Sequence, residues 1–274
     1  MCRLVGIVAS ESTEFGLCLK EAPRSLARLS REHPDGWGIA IFEHARATWR
    51  LHKGTARASE DARFLEIAAR SEGHVLVAHI RQKTVGPTRL ENTHPFQRDG
   101  WIFAHNGTVK DVATLRAGTS PARLAEITGD TDSELLFAYL LTRLDEAGLT
   151  TLRDEGARAQ ATHVVGAAAR KLREANVGAF NFLLSDGRTC FAHRFGRSLF
   201  LLERSPSDPV REKRDVSSSA TLVTKWTQRR HAILIASERM TDEPWRELDD
   251  GTLLRVDREP VPSVVVSGAT GRAA

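Results

Sequence analysis

The chain has 274 residues, 41% of them hydrophobic and 27% charged, with a formal net charge of +4. It carries enough apolar material for a sizeable core and too little charge bias for a disordered chain. Its 39 basic residues are interleaved with 35 acidic ones and form no aromatic-spaced basic stripe, so no nucleic-acid partner is expected.

The chain opens on Met1-Cys2-Arg3 and the apolar run Leu4 to Ala9, which reads as a strand buried on both faces. The run is too short for a signal-peptide core or a membrane span, and Glu11 and Glu14 follow it. Residues 22–31 suit a short helix, and His33-Pro34-Asp35-Gly36-Trp37-Gly38 is a turn leading into the strand Ile39 to Phe42. Thr48 to His52 alternates as a pairing strand, and Ala62, Leu65, Ala68 and Ala69 recur at helical spacing. Val75 to Ala78 predicts a buried strand that delivers His79-Ile80-Arg81 at its end. Gln82 to Gly100 has no sustained period and reads as a long loop.

Trp101 to Ala104 resumes a strand that stops at His105-Asn106-Gly107, where the Asn-Gly pair by itself signals a turn. Thr131-x-x-Glu134 is a capping box ahead of the apolar helix face Leu135, Leu136, Tyr139, Leu140 and Leu144, and it puts Asp132 in the first turn. A second helix is expected over residues 162–175. Strands follow at Phe180 to Leu184, Thr189 to Arg194, Ser198 to Leu202, Ala220 to Thr224, Ala232 to Ser237 and Thr252 to Asp257. Ser205 to Ser219 reads as an exposed insertion. Strands, then helices, then strands argue for stacked antiparallel sheets with helices outside, within one domain over residues 2–260. Residues 261–274 read as a disordered tail.

Three cysteines, Cys2, Cys18 and Cys190, are too few and too scattered for a disulfide framework, and no C-x-x-C or H-E-x-x-H spacing offers a metal site. A reduced cytoplasmic protein without metal or cofactor is the expectation. Cys2 has two readings. Taken alone it is a small hydrophobe at the mouth of a buried strand. Once Met1 is cut away it is also a nucleophile with its own base, a thiol of pKa about 8.5 beside an α-amine of pKa about 8.

The ordered set Cys2, His79-Ile80-Arg81, Asn92-Thr93-His94-Pro95, His105-Asn106-Gly107 and Thr131-Asp132-Ser133-Glu134 resembles the type 2 (N-terminal nucleophile) glutamine amidotransferases. The family's Cys-Gly-Ile opening is altered here, since Arg3 follows Cys2 and the Gly-Ile pair arrives at Gly6-Ile7. The family's His-Thr-Arg-Trp-Ala-Thr-His-Gly corresponds to His79 through Gly86, with Gln82 and Val85 in place of Trp and His. The opening Met-Cys-Arg-Leu, the turn at 33–38 and Asn181 to Gly187 are similar to stand-alone members that include amidases of γ-glutamyl compounds.

The resemblance implies an α+β fold, the four-layer αββα sandwich of two antiparallel sheets. It implies catalytic roles for Cys2, Asn106 and Gly107, with the Asn106 amide and the Gly107 N–H as oxyanion donors. It also implies substrate-binding roles for Arg81, Thr84, His94 and Asp132, with Arg81 facing the α-carboxylate of a γ-glutamyl group and Asp132 its α-ammonium. The implied reaction is hydrolysis of a γ-glutamyl amide, of glutamine or another small γ-glutamyl compound, through a thioester. Two alternatives stay open at this point: a glutaminase subunit that delivers ammonia to a synthase on another chain, and a non-catalytic γ-glutamyl-binding module.

Overall fold

The computed structural model describes residues 2–208 and 230–267. In chain order the elements are β1 (Arg3–Glu14), α1 (Leu26–Leu29), β2 (Trp37–Glu43), β3 (Thr48–Gly54), α2 (Ala62–Arg70), β4 (Glu72–Ile80), β5 (Phe96–Arg98) and β6 (Trp101–Val109). Then come α3 (Val112–Ala117), α4 (Pro121–Ala125), α5 (Asp132–Glu146) and α6 (Glu155–Glu174). The chain closes with β7 (Gly178–Ser185), β8 (Thr189–His193), β9 (Phe200–Arg204), β10 (Ala232–Ala236), β11 (Arg246–Glu247), β12 (Leu253–Asp257) and β13 (Ser263–Ser267).

One sheet of seven strands runs in the order β11-β9-β10-β1-β4-β2-β3, and a second of six runs β13-β12-β8-β7-β6-β5. Every pairing is antiparallel. Strand β1 shows why the layers stack. Side chains alternate across a strand, so Leu4 and Val8 enter the core between the two sheets with Ile102, Ala104 and Leu183. Val5, Ile7 and Ala9 enter a second core with Phe64 and Ala68 of α2 and Leu26 of α1. A strand covered on both faces needs no polar position, which accounts for the uninterrupted apolar run. The outer face of the second sheet packs Phe103, Phe180 and Phe182 against Leu136, Phe137 and Leu140 of α5 and Val165 and Leu172 of α6. The result is the expected αββα order: α1 and α2, sheet, sheet, α5 and α6.

Several elements differ from the sequence reading. Asn106 and Gly107 are not a turn. They lie within β6, opposite Asn181 and Phe180 of β7, because β7 pairs with β6 from Ile102 to Val109 and so extends it past the Asn-Gly pair. The loop at 82–100 contains the short strand β5, which pairs with β6 through Phe96↔Phe103. Helix α6 starts at Glu155, earlier than its apolar stripe suggests, because the Asp154 side chain caps it by accepting from Ala157 N at 2.9 Å. The capping box at 131–134 is half made. Thr131 Oγ1 accepts from Glu134 N at 3.3 Å, while the Glu134 carboxylate turns to Gly129 N at 2.7 Å and to Arg98.

The expected disordered tail also needs correction over part of its length. Ser263–Ser267 is an edge strand paired to β12, with Val264 opposite Val256 and Val266 opposite Leu254. Three consecutive β-branched residues favour that extension. The strand expected at Ala220 to Thr224, most of the insertion at 205–219 and residues 268–274 lie outside the described residues.

Candidate active site

The candidate site forms where Cys2, just ahead of β1, meets the residues beyond β4, with β6 of the second sheet packed across β1 and β4. The β1–β4 register places Arg3 opposite Ile80 and Leu4 opposite His79, which carries Cys2 to the residues just beyond β4. There Cys2 Sγ receives the Gln82 backbone N–H at 3.4 Å and lies 3.4 Å from Gln82 O as a donor. Burial pushes the Cys2 thiol above its ordinary pKa. The Gln82 backbone contact and the positive charge of Arg81 act the other way. The half-buried Cys2 is thus a neutral thiol whose ionised form already has one N–H donor and one nearby cation.

The turn at 33–36, which ends where β2 begins at Trp37, clamps this strand end. Asp35 N donates to Arg81 O at 3.0 Å, Arg81 N to Gly36 O at 2.8 Å, and Lys83 N to the Asp35 carboxylate at 2.8 Å. Gly38 is required beside it, since a Cβ there would collide with the His94 carbonyl oxygen. The Arg81 side chain is buried. It donates to the carbonyls of Val85 at 2.8 Å, Pro87 at 3.0 Å and Gly86 at 3.3 Å, and so folds the loop at 85–87 around itself. Burial lowers the pKa of this guanidinium, and Cys2 in its ionised form and the Asp35 carboxylate oppose the effect. In this arrangement the fork expected to face a substrate carboxylate holds its own loop instead. Thr84 sits exposed on that loop.

Loop 85–87 is tied in turn to the start of α5 through fully buried Asn92. Asn92 Nδ2 donates to Pro87 O at 3.0 Å and to the Asp130 carboxylate at 3.3 Å, and its Oδ1 accepts from Asp130 N at 2.8 Å. Two residues on, buried Asp132 accepts from Val109 N at 2.6 Å, at a helix N-terminus where the dipole favours a carboxylate.

On the facing sheet, Asn106 is buried and its Nδ2 donates to Ser237 Oγ at 3.3 Å. Gly107 admits no side chain, because a Cβ would strike the Ala179 carbonyl oxygen. Ser237, at the end of β10, drew no attention in the sequence. Its only signal is a polar residue closing the apolar run Ala232 to Ala236.

Beneath these groups three buried imidazoles stand together. The His79 and His94 rings are 4.2 Å apart between centroids, and His94 is 6.4 Å from His105. His79 Nε2 donates to His105 O at 3.2 Å, and His105 Nδ1 lies 2.8 Å from Ser133 Oγ. Among the described residues neither nitrogen of His94 has a hydrogen-bond partner, and its ring packs on Phe96 at 4.6 Å. Burial lowers all three, His79 to about 3 and His94 well below the usual imidazole value; Asp132 partly opposes the effect at His105. His94, read from the sequence as a substrate contact, is placed as a neutral aromatic in the floor of the site. Among the described residues no group of three His, Cys, Asp or Glu side chains could hold a metal ion, and no helix is long and apolar enough to cross a membrane.

A cysteine just ahead of β1 in one antiparallel sheet and an Asn-Gly pair within β6 of the other point to a class, and comparison with known proteins agrees with it. The profile of the class-II glutamine amidotransferases matches residues 1–270, and the chain belongs to that family of enzymes. The Escherichia coli protein YafJ is 29% identical over 92% of this chain and 95% of its own. The γ-glutamyl-hercynylcysteine sulfoxide hydrolase of Mycobacterium tuberculosis is 26% identical over 99% of each chain. The crystal structure of a predicted glutamine amidotransferase from Pseudomonas aeruginosa superposes with a TM-score of 0.61 at 26% identity, over 92% of this chain and 96% of that one.

Proposed function

We propose that the enzyme hydrolyses a γ-glutamyl amide bond, with Cys2 as nucleophile and a γ-glutamyl thioester as intermediate. The observation that carries this reading is the placement of the Cys2 thiol against the Gln82 N–H, with Asn106 and Gly107 presented from the opposite sheet. After removal of Met1 the Cys2 α-amine takes the thiol proton as sulfur attacks the amide carbonyl carbon. The carbonyl electrons move to oxygen, where the Asn106 amide and Gly107 N–H receive the negative charge. The C–N bond then breaks, the leaving nitrogen takes the proton from the α-amine, and the thioester remains. Water adds to the thioester carbonyl and the C–S bond breaks, releasing glutamate and restoring the thiol.

In this reading Asp132 meets the α-ammonium of the glutamyl head, and Arg81 exchanges carbonyls of loop 85–87 for the α-carboxylate. Thr84 rides on the same loop. A leaving group larger than ammonia fits the full-length match to a γ-glutamyl hydrolase, so γ-glutamyl conjugates rank ahead of free glutamine. A catalytic thiol of this kind works reduced, and three free cysteines are compatible with the cytoplasmic location proposed here.

The test is a release assay over glutamine, glutathione and other γ-glutamyl compounds, with Cys2→Ala as control. Release of glutamate without any added synthase supports hydrolysis; release that requires a second chain would instead mark a glutaminase subunit. Intact-mass measurement of active protein should show Met1 absent, and full activity with Met1 retained would remove the α-amine from the mechanism.

A further inference from the structure

We infer that Ser237 is a positioning residue that sets the distance between the nucleophile strand and the oxyanion donor, an inference that rests on the hydrolytic reading above. Its hydroxyl joins the two sheets at the site. Leu4 N, two residues after Cys2 in the seven-stranded sheet, donates to Ser237 Oγ at 3.2 Å. Asn106 Nδ2, in the six-stranded sheet, donates to the same oxygen at 3.3 Å. A hydroxyl oxygen has two acceptor sites, and here both are used, one by each sheet.

The consequence for Asn106 follows from its own inventory of protons. A primary amide carries two N–H bonds. One is spent on Ser237, which leaves the other as the donor for a developing oxyanion. The terminal torsion of an asparagine is soft, so an anchor on one N–H is what keeps the second from swinging away. Without it the amide can rotate or present its carbonyl oxygen to a negative charge.

Ser237 is itself held by a closed set of contacts. Its N donates to Leu4 O at 3.1 Å, and its carbonyl accepts from Ser198 Oγ at 3.3 Å. Ser198 O accepts from Asn181 Nδ2 at 3.0 Å, and Asn181 is the β7 residue directly opposite Asn106. The side chain is 2% exposed, so bulk water does not compete for its oxygen. Catalytic geometry tolerates little error, with displacements of about 1 Å costing on the order of 10²-fold in rate.

The experiment uses the full-length enzyme and its best γ-glutamyl substrate. Ser237→Ala should lower kcat about tenfold, the rate equivalent of one neutral hydrogen bond, with KM changed by less than about twofold. In an Asn106→Ala background the same change should cost less than about twofold more, because the group through which Ser237 acts is gone. Alkylation of Cys2 by iodoacetamide should keep its wild-type rate, a readout that a mere slackening of β1 would move. If Ser237→Ala does not fold, Ser237→Cys preserves volume while replacing the oxygen by a poor acceptor and carries the same expectations. Selective ¹⁵N labelling of asparagine adds a test independent of substrate: the Asn106 side-chain amide signal, identified by its loss in Asn106→Ala, should shift in the Ser237 variant. Wild-type kcat in the Ser237 variants, or an equal loss with and without Asn106, overturns the inference. Inactivity of the wild-type enzyme toward every γ-glutamyl compound would instead defeat the hydrolytic reading, while an unshifted amide signal would defeat this one alone.

Discussion

The half of the site on the seven-stranded sheet and the half on the six-stranded sheet keep their polar groups in different places. On the first, Cys2, Arg81 and Gln82 lie at strand ends, and their partners are loop carbonyls and a turn: Val85, Gly86 and Pro87 for Arg81, Asp35 and Gly36 for the segment at 81–83. On the second, Asn106 and Gly107 lie inside a paired strand above a floor of buried imidazoles. A strand interior fixes a group in place, whereas a loop can exchange partners. In the proposed mechanism, the half that would stabilise charge during reaction is therefore rigid, and the half that would read the substrate carboxylate can adapt. This contrast should be visible as effects on kcat for Asn106 in the second half and on KM for Arg81 in the first; Cys2 and Asp132, which is bonded to Val109 of β6, are excepted.

The largest effect belongs to Cys2→Ala, which should abolish turnover, a loss of at least about 10³-fold, while circular dichroism and melting temperature stay near wild type. Residual activity above that level would show that another group attacks. Asn106→Ala comes next, with kcat expected to fall roughly 10²–10³-fold and KM to move little; a mutant as fast as wild type would take Asn106 out of the oxyanion site. Arg81→Lys keeps the charge but loses the planar fork, so KM should rise about tenfold for every γ-glutamyl substrate alike. Asp132→Asn should do the same, and a substrate lacking the α-ammonium should be blind to it. Kinetics unaffected by either change would reduce Arg81 to a loop organiser and Asp132 to a helix-start charge.

The smallest effect concerns the floor. His79, His94 and His105 are buried neutral, with folded-state pKa values below the unfolded value of about 6.5. Between those values the unfolded chain binds more protons than the folded one, so stability falls as pH falls. The contribution is complete above about pH 6.5 and is lost progressively toward about pH 3, where His79 titrates. His94→Phe keeps an aromatic ring and removes two unpartnered nitrogens. Its melting temperature should match or exceed wild type at neutral pH and decline less steeply between pH 6.5 and 4.5, by roughly one proton's worth of slope. An identical pH dependence in the variant would mean that His94 is not among the groups that resist protonation.

Much of this was legible because local rules and global packing agree. The six-residue apolar run that starts at Leu4, the Pro-Asp-Gly turn at 34–36 and the Thr131 cap each have a local physical signature, although Trp37 and Gly38 of the expected turn already belong to β2. The failures occur where tertiary pairing overrides such a signature. Asn106-Gly107 is a strong turn signal in isolation, yet β7 pairs across it. Glu134 is the expected partner of its own N-cap, yet it bonds Gly129 and Arg98. His94 belongs to a recognisable motif, yet the chain turns it into the floor against His79.

What the sequence by itself determined is the order of the main elements and the candidates for the reacting groups. Cys2 at the mouth of an apolar strand, Asn106-Gly107 after a second one and Asp132 at a capped helix are statements about neighbours in the chain. Only the tertiary structure decided how these groups meet. The hydroxyl of Ser237, 131 positions from Asn106 and 233 from Leu4, takes a bond from each because two sheets pack face to face. The Arg81 fork is turned onto its own loop because that loop's carbonyls lie within reach and the buried cation needs acceptors. Alternation and capping act over a few residues, whereas the pairing of sheets joins residues hundreds apart; the former can be read along the chain, and the latter exists only once the core has closed.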